Sequence, residues 1–217
     1  TLFTRTTKGL YTTEIGDIFL NRVRRAIHWL TYLDSLFTTK GKNQRHLFRS
    51  LTATQLRALA TVVEYGNYSF AANQLGLTQP SVHRAVKEME SLCGCSFFQR
   101  VPSGVEPGWR ARQAARYASL YYSELEQGID EMNEYTGHIT GALRVGSLPL
   151  ARTQIVPHTV TQLLEEFTSA RVSIVDGPYN EQLDALRHGK IDLIIGALRY
   201  PAPSSDIQQQ SLFSDSL

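Results

Sequence analysis

Residues 51–109 constrain this chain more than any other segment, because helix starts and stops recur there at spacings that suit only a small helical unit. Thr54 is placed to cap a helix running to Tyr65, with Leu56, Leu59, Ala60 and Val63 on one side. Gly66-Asn67 interrupts that pattern. Ser69 is placed to cap a second, short helix carrying Ala71, Ala72 and Leu75, and Gly76 ends it. Thr78 then caps a third helix, with Pro80 in the first turn, where a missing N–H costs nothing. Val82, Ala85, Val86 and Met89 come at steps of three and four, and Gly94 stops the run. Residues 97–105 read as a hairpin turning at Pro102-Ser103-Gly104. Three short helices and a hairpin predict a winged helix-turn-helix.

The side of the third helix away from its apolar residues carries Gln79, Ser81, His83, Arg84 and Lys87, with Pro80, His83, Arg84 and Lys87 in one stripe. Such a stripe is either an ordinary solvated face or a face for a DNA major groove. Arginine matches guanine edges and glutamine adenine edges, while a helix start and a lysine suit phosphate.

Long amphipathic segments flank this unit. From residue 16 to 37, Phe19, Leu20, Val23, Ile27, Leu30 and Leu33 define one helical face, and the polar, basic run 38–50 reads as a linker. A helix over 110–136 spaces Ala115, Ala118, Tyr122, Leu125, Ile129 and Met132 by alternating threes and fours, a heptad seam that wants a partner helix. Gly137 and Gly141 end it and form a hinge to the next domain. Over 142–217 the pattern becomes strand (143–145), helix (156–167), strand (172–175), helix (179–188) and strand (191–195), with a further strand beginning over 208–213. This β-α-β-α-β order predicts a parallel, helix-covered sheet. The expected fold class is mixed: an α-rich winged helix-turn-helix with a long linker helix, then a partial α/β domain.

Composition narrows the function classes. The chain has 217 residues, 42% of them hydrophobic, which is enough to bury a core. Residues 1–49 hold nine Lys/Arg against three Asp/Glu, whereas residues 113–217 hold seven against thirteen. A basic front and an acidic back suggest a polyanion-binding part joined to something else. No apolar run is long enough to span a membrane, and no secretory leader is visible. Cys93 and Cys95 are too few for a disulfide framework, and no His or second Cys pair completes a metal set. A cytoplasmic location, no metal and no cofactor are therefore expected. Gly146-Ser147-Leu148-Pro149 lacks the closing glycine of a nucleophile elbow, and no phosphate-binding glycine loop is present, so no enzyme is expected. Asn67-Tyr68-Ser69 is a formal glycosylation sequon, read instead as a helix start.

The run from Ser69 to Glu90 resembles the signature of the LysR-type transcriptional regulators in Ala71-Ala72, Leu75, Thr78-Gln79-Pro80-Ser81-Val82, Arg84 and Met89-Glu90. The family's Leu-Gly-x-x-Leu-Phe-x-Arg is matched by residues Cys93 to Arg100. His83 departs from the usual serine, and Pro107-Gly108-Trp109-Arg110-Ala111 departs from the usual Leu-Thr-Glu-Ala-Gly. Residues 142–200 resemble the first half of the family's periplasmic-binding-protein-like effector domain, through Gly141 to Gly146 and Gly189 to Gly196.

The resemblance implies a DNA-binding regulator that answers to a small-molecule effector. It would contact double-stranded DNA through Ser69, Gln79, Pro80, Ser81, His83, Arg84, Lys87, Arg100 and Ser103, and pair as a homodimer or homotetramer through the seam just described. Ser147, Leu148, Gly196 and Ala197, beyond the carboxyl ends of strands, would face the effector. The alternative is a small-molecule binding protein whose helical front half is only structural.

The front of the chain repeats the second half of this DNA-binding pattern. Aligned on Gly9 and Gly104, an offset of 95 residues sets Leu2-Phe3-x-Arg5 on Phe97-Phe98-x-Arg100, and Leu20, Val23, Ile27 and Leu30 on Ala115, Ala118, Tyr122 and Leu125. Residues 1–15 are therefore expected to be the wing of a first unit whose own three helices lie upstream, and 16–37 its linker helix. The chain is expected to be a piece of a longer protein.

Overall fold

The computed structural model describes residues 1–37, 47–138 and 141–214. They form two compact units, Thr1–Gly128 and Ile129–Leu217. The division falls within the long helix, upstream of the hinge expected at Gly137 and Gly141.

The first unit opens with an antiparallel hairpin, β1 (Phe3–Thr6) and β2 (Gly9–Thr12), followed by helix α1 (Glu14–Ser35). Thr13 caps α1 by accepting the Gly16 N–H at 3.1 Å, so the helix begins two residues earlier than the apolar spacing predicts. Most of the expected linker, residues 38–46, lies outside the described residues, and Leu47–Ser50 form a single 3-10 turn.

Three helices come next: α2 (Ala53–Tyr65), α3 (Tyr68–Leu75) and α4 (Gln79–Cys93). Two of the expected caps are displaced. Thr52, not Thr54, caps α2, because Gln55 returns its side chain to the Thr52 N–H at 2.9 Å and completes a capping box. Asn67, not Ser69, caps α3, its carboxamide oxygen accepting the Ser69 and Phe70 N–H groups at 2.8 and 3.2 Å. Thr78 caps α4 as expected. All three helices stop on a left-handed glycine, Gly66, Gly76 or Gly94, a conformation that costs a residue without Cβ little.

A second hairpin pairs β3 (Phe98–Val101) with β4 (Gly104–Pro107), turning at Pro102-Ser103, and leads into α5 (Trp109–Tyr135). Phe97, expected in the hairpin, is instead buried in the core with Leu59, Val62, Val82, Val86 and Met89. Ala111, Ala114, Ala115 and Ala118 of α5 and Leu30 and Leu33 of α1 extend the same cluster.

The two hairpins share one register. Phe3 pairs with Thr12 and Thr6 with Gly9; Phe98 pairs with Pro107 and Val101 with Gly104, each 95 residues on. The helices after them also start 95 residues apart, at Glu14 and Trp109. The bond from the Thr13 N–H to the Leu2 carbonyl, 3.1 Å, has its counterpart from Gly108 to Phe97, 2.8 Å.

The second unit is a parallel three-stranded sheet of order β6-β5-β7, built from β5 (Ala142–Ser147), β6 (Arg171–Val175) and β7 (Leu193–Ile195). Helices α6 (Pro149–Arg152), α7 (Ile155–Glu166) and α8 (Tyr179–Arg187) make the connections. Strand β7 starts later than expected. Asp192, just before it, accepts the Arg144 N–H at 2.7 Å and pairs with its guanidinium at 3.1 Å. No strand forms over 208–213. The Gln209 side chain there brackets the backbone of Arg199 instead, with bonds of 2.9 and 3.0 Å. No helix among the described residues is long and apolar enough to cross a membrane.

Candidate nucleic-acid interface

The side of α4 that packs inward carries Val82, Ala85, Val86, Met89 and Glu90. The opposite side leaves Gln79, Pro80, Ser81, His83, Arg84 and Lys87 exposed. The predicted polar stripe is therefore an open surface of a rigid, capped helix. Neighbouring elements hold several of its members. The Ser69 hydroxyl donates to the Gln79 side chain at 3.2 Å, joining the first turn of α3 to that of α4. Ser81 shares a 2.8 Å hydroxyl bond with Thr78. The His83 ring rests 5.2 Å from that of Tyr68, which lies 5.9 Å from Phe98 in the second hairpin. Burial, and then the nearby Glu90 carboxylate, push the Tyr68 phenol up to about 12. It is a neutral spacer between the third helix and the wing.

Glu90 is a residue whose role sequence spacing did not reveal. Its side chain is 8% exposed, yet one oxygen accepts the Phe97 N–H at 2.6 Å and the other the Lys87 ammonium at 2.7 Å. It ties the end of α4 to the start of the wing and steers Lys87. The wing is also held at its turn side, where the Val105 N–H donates to the Gly66 carbonyl at 2.8 Å. Arg100 and Ser103 are exposed on that wing. Nearby, burial first and Cys95 second push the Cys93 thiol up to about 12, so it stays protonated at neutral pH.

The seam expected on α5 is divided. Ala115 and Ala118 are buried in the unit's own core. The Tyr122 hydroxyl donates to the Ala53 carbonyl at 2.8 Å, and Arg57 of α2 lies over its ring. Leu125 and Met132 are half-buried and Ile129 is exposed. Alternating spacing marks an apolar face but not whose helix covers it, and here α2 covers part of it.

In the second unit, Ser147 closes β5 and is fully buried, and Leu148 is 7% exposed, while Gly196 and Ala197 are exposed. Leu148 and Gly196 meet: a Cβ at position 196 would collide with the Leu148 side chain. Gln182 of α8 is not among the expected effector residues, yet it is 1% exposed and donates to the Ser147 and Gly177 carbonyls at 3.1 and 2.9 Å. The Ser147 hydroxyl and the Gln182 carboxamide oxygen are buried without a partner among the described residues.

Comparison with known proteins bears on both units. Residues 53–112 match the family "Bacterial regulatory helix-turn-helix protein, lysR family", and residues 136–217 match "LysR substrate binding domain". The HTH-type transcriptional regulator GalR of Pseudomonas putida is 28% identical over 216 residues, all but the whole of this chain and 54% of that protein. The probable HTH-type transcriptional regulator LrrA of Synechococcus elongatus is 33% identical over 156 residues, 72% of this chain and 52% of that protein. The chain thus spans about half the length of these relatives. Among solved structures, a full-length OxyR variant from Pseudomonas aeruginosa aligns with a TM-score of 0.52 at 22% identity, covering 70% of this chain and 51% of that one, a likeness of fold. The chain carries the helix-turn-helix domain and the substrate-binding domain of the lysR family and belongs to that family.

Proposed function

We propose that this chain is part of a ligand-responsive transcriptional regulator that reads DNA with the exposed face of α4, in the cytoplasm and without catalysis. The observation that carries this reading is the open polar side of a capped helix, with Gln79, Ser81, His83, Arg84 and Lys87 all exposed beside the first turn of α3. In a major groove, Arg84 and Gln79 reach base edges. Lys87, Ser69, Arg100 and Ser103 serve phosphates, and Pro80 shapes the helix start. Replacing Arg84 by Ala is expected to cost about 1–3 kcal/mol of specific binding and to relax preference at one base pair. Fluorescence anisotropy against an operator and its single-base variants measures this. A loss uniform across sequences assigns Arg84 to phosphate, and no loss removes it from the interface.

The effector belongs at the carboxyl end of β5, beside Ser147, Leu148, Gly196 and Ala197, where two buried polar atoms lack partners among the described residues. The intact protein works as a homodimer or homotetramer.

The first hairpin and α1 are the remainder of a tandem DNA-binding unit. Three observations support this. The hairpins agree in register residue by residue across the 95-residue offset. Phe3, Leu10 and Tyr11 of the first hairpin are exposed, and Ile27 of α1 is 42% exposed, although its counterpart Tyr122 lies against α2. The relatives' lengths differ as one further unit requires. A span of 216 residues at 54% puts GalR near 400 residues, and one of 156 at 52% puts LrrA near 300.

A further inference from the structure

We infer that α5 takes its pairing partner from its own chain: α1 and α5 form an antiparallel pair in cis along Tyr117, Glu124, Gln127 and Gly128, a face of α5 beside the expected seam, whose Tyr122 lies against α2 and whose Ile129 is exposed. The inference rests on the reading of α1 as the linker helix of a first unit. The contacts run antiparallel, from Phe19 and Arg22 of α1 against Glu124, Gln127 and Gly128 of α5 to Trp29 and Tyr32 of α1 against Tyr117 of α5. Arg22 reaches Glu124 at 2.9 Å and Gln127 at 2.6 Å, while Trp29 and Tyr32 stack on Tyr117 with ring centroids 6.3 and 5.7 Å apart. Gly128 lies so close to α1 that a Cβ there would sit 2.9 Å from both the Phe19 ring and the Arg22 Cβ.

These contacts are complementary only between unlike helices. The 95-residue offset makes Phe19 the counterpart of Ala114 and Leu33 that of Gly128. A two-fold arrangement that sets Phe19 on Gly128 therefore sets Leu33 on Ala114, and both of these are 0% exposed in the same cluster. Large residues on α1 thus meet small ones on α5 twice. Two copies of α5 would bring Gly128 to Ala114 and leave voids. Two copies of α1 would crowd Phe19 against Leu33. Packed interiors penalise both faults. Charge agrees: Arg22 finds Glu124 only in the mixed pair, since two copies of α5 would turn Glu124 toward Tyr117. One polypeptide thus supplies both linker helices, and the wings that precede them differ in sequence, with Thr6-Thr7-Lys8 in the first where Val101-Pro102-Ser103 stand in the second.

Paired cysteines in the intact gene product test this. Arg22→Cys with Gly128→Cys, in a background of Cys93→Ala and Cys95→Ala, is oxidised and run on a non-reducing gel. The expected result is a cross-link within the monomer band, seen as faster migration and as loss of two free thiols. A cross-linked dimer band, or a natively melting protein with both thiols free, overturns the inference. The exchange of charge at Arg22→Glu and Glu124→Arg covers a failure of the cysteine variant to fold. Each single change lowers the melting temperature, and the double change restores most of the loss if the two helices pair. Additive losses overturn it. Both tests work without DNA, so a failed operator assay would remove the DNA-reading proposal and leave the helix pair standing.

Discussion

At the scale of single residues, helix starts show where sequence reading succeeds and where it slips. Thr78 and the three glycine stops stand alone at their boundaries, and the structure uses them as the spacing predicts. Residues 52–55 hold two threonines, and both precede the apolar face. The deciding signal is Gln55, three residues after Thr52, whose side chain closes the capping box and leaves Thr54 inside the first turn. Asn67 displaces Ser69 in a similar way, by reaching two N–H groups at once. The energetic consequence is separable. Thr52→Ala is expected to lower stability by about 1 kcal/mol, within the 0.5–2 kcal/mol range of cap removals. Thr54→Ala, at an exposed position, should stay within about 0.5 kcal/mol. Urea unfolding of the two variants side by side checks this, and equal losses would contradict the assignment of the cap.

At the scale of elements, apolar periodicity revealed the faces of the helices but not their neighbours. The spacing along α5 predicts a partner helix, and the alternation by itself is satisfied by any apolar surface. The structure spends Ala115, Ala118 and Tyr122 on the unit's own core and on α2. The wing was legible as a hairpin because Pro102, Ser103 and Gly104 mark a turn. Its attachment was not, since that depends on Glu90, a buried carboxylate on an otherwise apolar side of α4. Glu90 contributes mainly by satisfying the buried Phe97 N–H rather than by pairing with half-exposed Lys87. Glu90→Ala is therefore expected to cost about 1–3 kcal/mol, the penalty of a buried donor left without its acceptor. Lys87→Ala should cost about 0–1 kcal/mol, as a solvent-screened pair does. Thermal unfolding of both variants decides the point: equal losses would mean that the ion pair, not the backbone acceptor, anchors the wing.

At the scale of the whole molecule, the uneven charge of the chain corresponds to its division into units. The nine cations of residues 1–49 lie largely in the first hairpin, α1 and the segment after them, while the acidic excess falls in residues 113–217. If both wings touch the DNA backbone, each phosphate contact contributes about 0.9 to the slope of log affinity against log salt. Arg100→Gln in the intact regulator should then reduce the slope by about 0.9. Arg5→Gln with Lys8→Gln, at the equivalent first wing, should reduce it by up to about 1.8. Both substitutions lie on exposed strand or turn positions, away from the buried cluster, so stability should be unaffected. Salt titrations of operator binding separate the outcomes. A smaller slope for both variants means that two wings grip one duplex. A slope changed only by Arg100→Gln means that the first unit stands off the DNA and that its wing takes no part in recognition.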